Sequence, residues 1–262
     1  MSIDLAGLDL RLRRRSIFFY ALGIALYALI IVVLYPSFKN DTGLDELFSG
    51  NLTFGALFGI AGSLTSPAGW LNANLYANFL PLIVLMVTIG YGASCIAGQD
   101  EDGTLALIAT LPVERRWIAL QKAAAMVALS LAVPIVTGLC VLIGRGFSLD
   151  VDLWNLVGTT VGVVLLGLAF GMLAMVVAAA GASRGAAIGV ASAVAAASYL
   201  VSSLATTIDW LHSAKYASLF YYAVGDNQLE EGLSWPSVTV LLATTGVFLV
   251  ATLIAFDGRD IR

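Results

Sequence analysis

The residues best placed to do chemistry together lie in one charged stretch, Gly98–Arg116, set between two long apolar runs. Asp100, Glu101 and Asp102 stand directly before Gly103-Thr104-Leu105, and Glu114, Arg115 and Arg116 follow Pro112. Clustered carboxylates can hold a metal, yet no set of His, Cys, Asp and Glu along the chain has metal-ligand spacing. The single histidine, His212, stands beside Trp210 and Leu211 with no serine or carboxylate partner implied by spacing, and reads as an interfacial residue. A phosphate-cradling loop needs Gly-Lys-Ser/Thr. The three lysines are followed by Asn40, Ala123 and Tyr216, so the chain cannot burn nucleotide by that route. Cys95 and Cys140 sit inside apolar runs and read as small buried hydrophobes, not a disulfide framework. The chain is therefore expected not to be an enzyme.

The elements around this island must be membrane elements. Of 262 residues, 60% are hydrophobic and 11% charged, with a mean hydropathy of +0.93. A soluble domain of this size could not hide that much apolar surface. Six runs meet the requirement of about 20 residues for crossing the hydrocarbon core: Ile17–Tyr35, Phe79–Ala97, Trp117–Ile143, Leu156–Ala180, Ala186–Thr207 and Val238–Phe256. The fifth is rich in Ala and Ser. The expected fold is an all-α polytopic membrane protein, a single transmembrane domain over residues 1–262. Ten of the 13 basic residues fall on the face that carries both termini. The positive-inside rule then places that face in the cytosol. Arg13-Arg14-Arg15 precedes the first run as in a signal peptide, but no small-residue cleavage site follows, so the run reads as a retained span.

Ile3, Leu5, Leu8 and Leu12 recur at near-helical spacing ahead of the first span. They predict an amphipathic helix lying on the inner leaflet, its basic end near anionic headgroups. Two external segments, Pro36–Asn78 and Ile208–Trp235, are long. Leu52–Leu64 in the first is too short to span and reads as re-entrant or surface-lying. The second gathers Trp210, Tyr216, Phe220, Tyr221, Tyr222 and Trp235, the composition of an aromatic belt. Gly158/Gly162, Gly167/Gly171 and Gly181/Gly185/Gly189 have the four-residue spacing that lets helices approach closely, within the bundle or between subunits. No ionisable side chain lies inside any run away from its ends, which argues against a self-contained ion-driven carrier.

A membrane protein without its own energy source can take work from a partner, and the island is shaped for contact. Acidic residues favour a helix start through its dipole, and Asp102 is the expected N-cap of a short helix over Thr104–Thr110. Pro112 disfavours helix at Leu111 and suits the first turn of the next helix. Leu105, Ile108 and Leu111 share a face of the short helix, with Leu107 off it. That ridge either fills a partner's groove or packs on the chain's own helix ends. Spacing alone leaves both open.

Asp100-Glu101, Gly103-Thr104-Leu105, Pro112-Val113-Glu114-Arg115 and Lys122 together resemble the internal loop of the ABC-2 family of ABC-transporter permeases. The similarity extends over the chain: a basic helix before the first span, a long external segment, Tyr221-Tyr222 before the sixth span, and Phe256-Asp-Gly-Arg-Asp260 near the end. Gly98-Gln99 departs from the pattern, since relatives often carry another carboxylate or a basic residue there.

The resemblance implies a half-transporter in the plasma membrane that pairs with a second permease half, each half docked on a separate ABC ATP-binding subunit. The short helix would be the coupling helix. Its contacts with the ATPase would involve Glu101, Thr104, Leu105, Leu107 and Arg115, with Arg14 and Arg15 as outside candidates. ATP and magnesium would be bound by the partner, and no cofactor by this chain. Membrane lipids are expected partners and nucleic acid is not. The implied function is an ATP-driven exporter of an amphipathic or lipid-like substrate. The alternative is a non-transporting membrane anchor or regulatory subunit, and an autonomous channel or carrier ranks third.

Overall fold

Asp4 opens the first helix by accepting the Gly7 N–H at 2.8 Å, the N-cap contact that satisfies an orphan donor of the first turn. In the computed structural model, which describes residues 4–39, 65–105, 114–205, 208–225 and 228–258 (without the side chains of Asp209 and Trp210), this helix, α1, runs unbroken from Leu5 to Phe38. At 1.5 Å per residue its 34 residues extend about 50 Å, well past a hydrocarbon core of about 30 Å. The separate surface helix expected ahead of Ile17 is thus corrected: those residues are a continuous extension of the first span.

The remaining helices are α2 (Pro67–Leu71), α3 (Phe79–Ala93), α4 (Gln99–Glu101), α5 (Arg115–Ile143), α6 (Leu153–Ala179), α7 (Arg184–Leu204), α8 (Leu219–Val224), α9 (Gln228–Glu231) and α10 (Trp235–Asp257). Wider π turns at Asn72–Tyr76 and Ser94–Gly98 flank α3, so the chain is nearly continuously helical from Pro67 to Glu101. Among the described residues, six helices are long and apolar enough to cross a membrane, one for each expected run. The described residues contain no strand, and the chain is an all-α polytopic membrane protein. The external connections are helical where described, including a 3-10 stretch at Asp209–Ala217. The expected re-entrant segment Leu52–Leu64 lies outside the described residues.

α6 is the axis of the bundle, packed by α3, α10, α5, α7 and α8, and most of its length is buried. Its glycines explain the close fit. A Cβ at Gly162 would come 2.6 Å from the Ala223 carbonyl oxygen. One at Gly171 would come 2.6 Å from the Met126 Sδ and 2.9 Å from the Thr88 Cβ. Small residues thus serve packing within the bundle on α6. Gly185 and Gly189 on α7 differ, since a Cβ at either meets open space. Cys95 and Cys140 are buried and free.

Candidate functional site: the charged end of the bundle

Two helices that are far apart in sequence deliver charges to one place, and the segment through α3 supplies the neutral groups that hold them. Asp9, on the extension of α1, is 7% exposed, and Lys122, in the second turn of α5, is 1% exposed. Their side chains form an ion pair, with Lys122 Nζ 3.6 Å from Asp9 Oδ2. The same carboxylate oxygen accepts the Tyr91 hydroxyl at 2.7 Å. Gln99 spans the pair: Lys122 Nζ donates to its Oε1 at 2.6 Å, and its Nε2 donates to Asp9 Oδ1 at 3.5 Å. The amide dipole therefore presents oxygen to the cation and nitrogen to the anion, as a buried charge pair requires.

One turn along α1, Arg13 covers the Tyr91 ring, its Cζ 5.0 Å from the centroid, and donates from Nη2 to Ser94 Oγ at 2.9 Å. Ser94 in turn donates to the Gly90 carbonyl. Ser94 begins the π turn, and the extra residue in that turn helps bring Gln99 round to the face of Asp9. The Ala6 N–H adds a contact to Gln121 Oε1 at 3.2 Å. These contacts seat the extension of α1 on the ends of α3 and α5.

The extension splits the apolar residues that the sequence grouped on one face. Leu5 and Asp9, one turn apart, are buried, whereas Leu8 and Leu12 are 51% and 72% exposed. Leu8 and Leu12 face away from the protein while Leu5 and Asp9 face in, as a helix beside lipid allows.

The island continues from this cluster. The helix through Glu101 ends at Asp102, and Gly103 takes the left-handed conformation (φ +71) with its N–H on the Asp100 carbonyl at 3.0 Å. Asp102 therefore closes the preceding helix, which corrects its expected role as N-cap of the next. Thr104 and Leu105 are helical; Leu107, Ile108 and the rest of the short helix lie outside the described residues.

Of the expected contact residues, Thr104 is exposed and donates to the Gln99 carbonyl at 3.1 Å. Glu101 is exposed, and its Oε1 accepts the Arg184 N–H at 2.8 Å. With Ser183 Oγ accepting the Ala186 N–H at 3.2 Å, Glu101 doubly caps the start of α7. Leu105 is 1% exposed, so its expected place on an outward ridge is corrected: it packs into the chain's own end. Arg14 and Arg15 are exposed on the α1 extension, and Arg115 is half-buried at the first position of α5. Beside it, Arg116 forms an exposed ion pair with Asp257 at 2.9 Å, joining α5 to the end of α10.

Sequence reasoning missed Asp9, Arg13, Tyr91 and Ser94 as members of this site. The available signal was the spacing of Leu5, Asp9 and Arg13, which places all three on one face at four-residue intervals.

An open apolar groove of about 550 Å³ lies between α3 and α7. Phe79, Leu82, Met86, Ile188, Ala196 and Tyr199 are among its walls. Near one end of the groove, Tyr199 donates its hydroxyl proton to Asn78 Oδ1 at 2.6 Å.

With this geometry in place, comparison with known proteins gives one result. The family model described as ABC-2 family transporter protein matches residues 3–261. A search of curated proteins finds no match. The chain belongs to the ABC-2 transporter family and is a multi-pass membrane transport component.

Proposed function

We propose that this ABC-2 family member is the permease subunit of an ATP-driven exporter, receiving work from a separate ATP-binding subunit at the island. The observation that carries the reading is the way the island is tied to the bundle. Gln99 bonds to α1 and α5, Glu101 caps α7, and the island is the direct continuation of α3. A push on this one short segment is delivered to four spanning helices at once. Packed elements transmit such displacements because close-packed interiors deform little.

The contact surface consists of the exposed Thr104 and Glu101 and the half-buried Arg115, with Leu107 farther along the island and Arg14 and Arg15 on the neighbouring extension. Leu105 supports that surface from behind. Both termini lie on the cytosolic side of the plasma membrane, following the basic residues. ATP and magnesium are bound by the partner. A second permease half completes the complex. The apolar groove between α3 and α7 favours an amphipathic or lipid-like cargo, whose apolar part can occupy it from within the bilayer.

The test begins with the tagged chain purified from its native membrane. An ATP-binding subunit should co-purify, and the complex in lipid should hydrolyse ATP. Thr104→Trp, a bulky group at an exposed island position, should release that subunit or abolish its stimulation while leaving membrane insertion intact. A variant that retains the ATP-binding subunit and full ATP-driven transport removes the island from the mechanism. Leu105→Asp is a poorer probe, because it buries a carboxylate in the chain's own packing.

A further inference from the structure

We infer that Asp9, Lys122 and Gln99 are positioning residues, a buried latch that makes the extension of α1 and the island move as one body. This rests on the proposed function for its consequence, but not for its geometry. Three observations converge on it. Both charges are almost fully buried and pair with each other. An ion pair so placed is poorly explained as a stabilising device, since the desolvation of two charges offsets most of their attraction. Its better-attested use is to fix register, because any slip leaves a charge without its partner.

The second observation is Gln99, whose side-chain amide bonds to both partners of the ion pair. A neutral amide suits a site that already holds one anion and one cation, and it is the only one of the three residues that belongs to the island itself. It converts a bond between α1 and α5 into a three-way tie that includes the moving segment. The third is that the extension's seating is mixed: Leu5 is buried and Ala6 and Leu10 pack against the core, and the ion pair is its one salt bridge among the described residues. Its leucines at 8 and 12 face outward, and its other polar ties are Ala6 to Gln121 and Arg13 to Ser94 and Tyr91. Removing the charge pair should therefore loosen the extension while the spanning part of α1 stays packed.

Pulsed electron-electron resonance tests this on the full chain in lipid nanodiscs. Spin labels are placed at Arg11→Cys on the extension and Asp102→Cys on the island, both exposed; the native cysteines are buried. The otherwise unaltered chain should give one narrow distance. Asp9→Asn, close to isosteric, should add a longer component displaced by about one helical turn, roughly 5 Å. Lys122→Arg should keep the narrow peak, and Gln99→Met should give an intermediate width.

A distribution in Asp9→Asn as narrow as that of the unaltered pair overturns the latch. Should Asp9→Asn fail to insert, Gln99→Met, which removes no charge, decides in the same way. In the purified complex, the distance should be equal with and without ATP, and Asp9→Asn should keep the ATP-binding subunit but lose ATP-driven transfer. A distance that changes with ATP in the unaltered chain also overturns the one-body claim. If no ATP-binding subunit co-purifies, the proposed function fails while the nanodisc result on the latch still stands.

Discussion

At the basic end of the bundle, Asp9, Lys122 and Arg13 are drawn in from two helices and held by Tyr91, Ser94 and Gln99. At the other end, the joins between helices are largely neutral. Tyr76 meets Thr160 at 3.3 Å, Tyr199 meets Asn78 at 2.6 Å, and Ser198 meets Ser218 at 3.0 Å. Asn155 Nδ2 reaches the Glu230 carbonyl at 2.8 Å. The two chemistries resist motion differently. A buried ion pair is steep, because losing either partner strands a charge. A neutral hydrogen bond contributes about 1 kcal/mol net and can exchange partners. Under the proposed function, the basic end keeps its geometry under load and the other end opens and re-forms. A machine driven from the basic end needs that asymmetry.

Substitutions can break the comparison, and the largest effect belongs to the charged end. Lys122→Met leaves Asp9 buried without its cation and should destabilise the chain by roughly 3–5 kcal/mol. The double variant Asp9→Asn/Lys122→Met should recover most of that loss. Denaturant titration of the purified chain in micelles measures both, and equal losses for single and double variants would remove the ion pair from the account.

A smaller effect is expected where the island meets α7. Glu101→Ala removes a cap from the Arg184 N–H, for a cost of about 1 kcal/mol, within the range for lost N-caps. Ser183 still caps the same helix, so the loss should be local. Hydrogen exchange should quicken at 184–187 and not elsewhere in α7. The smallest effect lies at the neutral end. Tyr76→Phe removes one hydroxyl contact to Thr160 and should cost about 0.5–1.5 kcal/mol. Should Tyr76→Phe cost as much as Lys122→Met, the contrast between the ends fails.

Much of the fold was legible before any coordinates. Hydropathy located the six candidate spans; α10 starts at Trp235, three residues before Val238, but α1 starts at Leu5, twelve residues before Ile17, because the helix continues past the apolar run. The candidate site was legible in outline. Gly103-Thr104-Leu105 marked the island, and Lys122 was noted as a lysine entering the third span. The latch itself was not readable, for a physical reason. Apolar periodicity finds the buried face of a helix in water, but beside lipid the leucines can face outward and a paired charge can face inward. Leu8 and Leu12 do face away from the protein, whereas Leu5 turns inward and Asp9, off the leucine face, was passed over. The π turn at Ser94–Gly98 leaves no compositional trace, so the approach of Gln99 to Asp9 could not be derived from spacing. Leu105 was undecided between a partner's groove and the chain's own packing, and its burial decides for the latter.

The most direct test of the central claim is ATP-dependent movement of a fluorescent phospholipid analogue between leaflets of proteoliposomes containing the co-purified complex. The account predicts movement that requires hydrolysable ATP and is lost in Thr104→Trp. A complex that binds its ATP-binding subunit tightly and hydrolyses ATP, yet moves neither this reporter nor other amphipathic probes, would contradict it. The chain would then be an anchor or regulatory subunit.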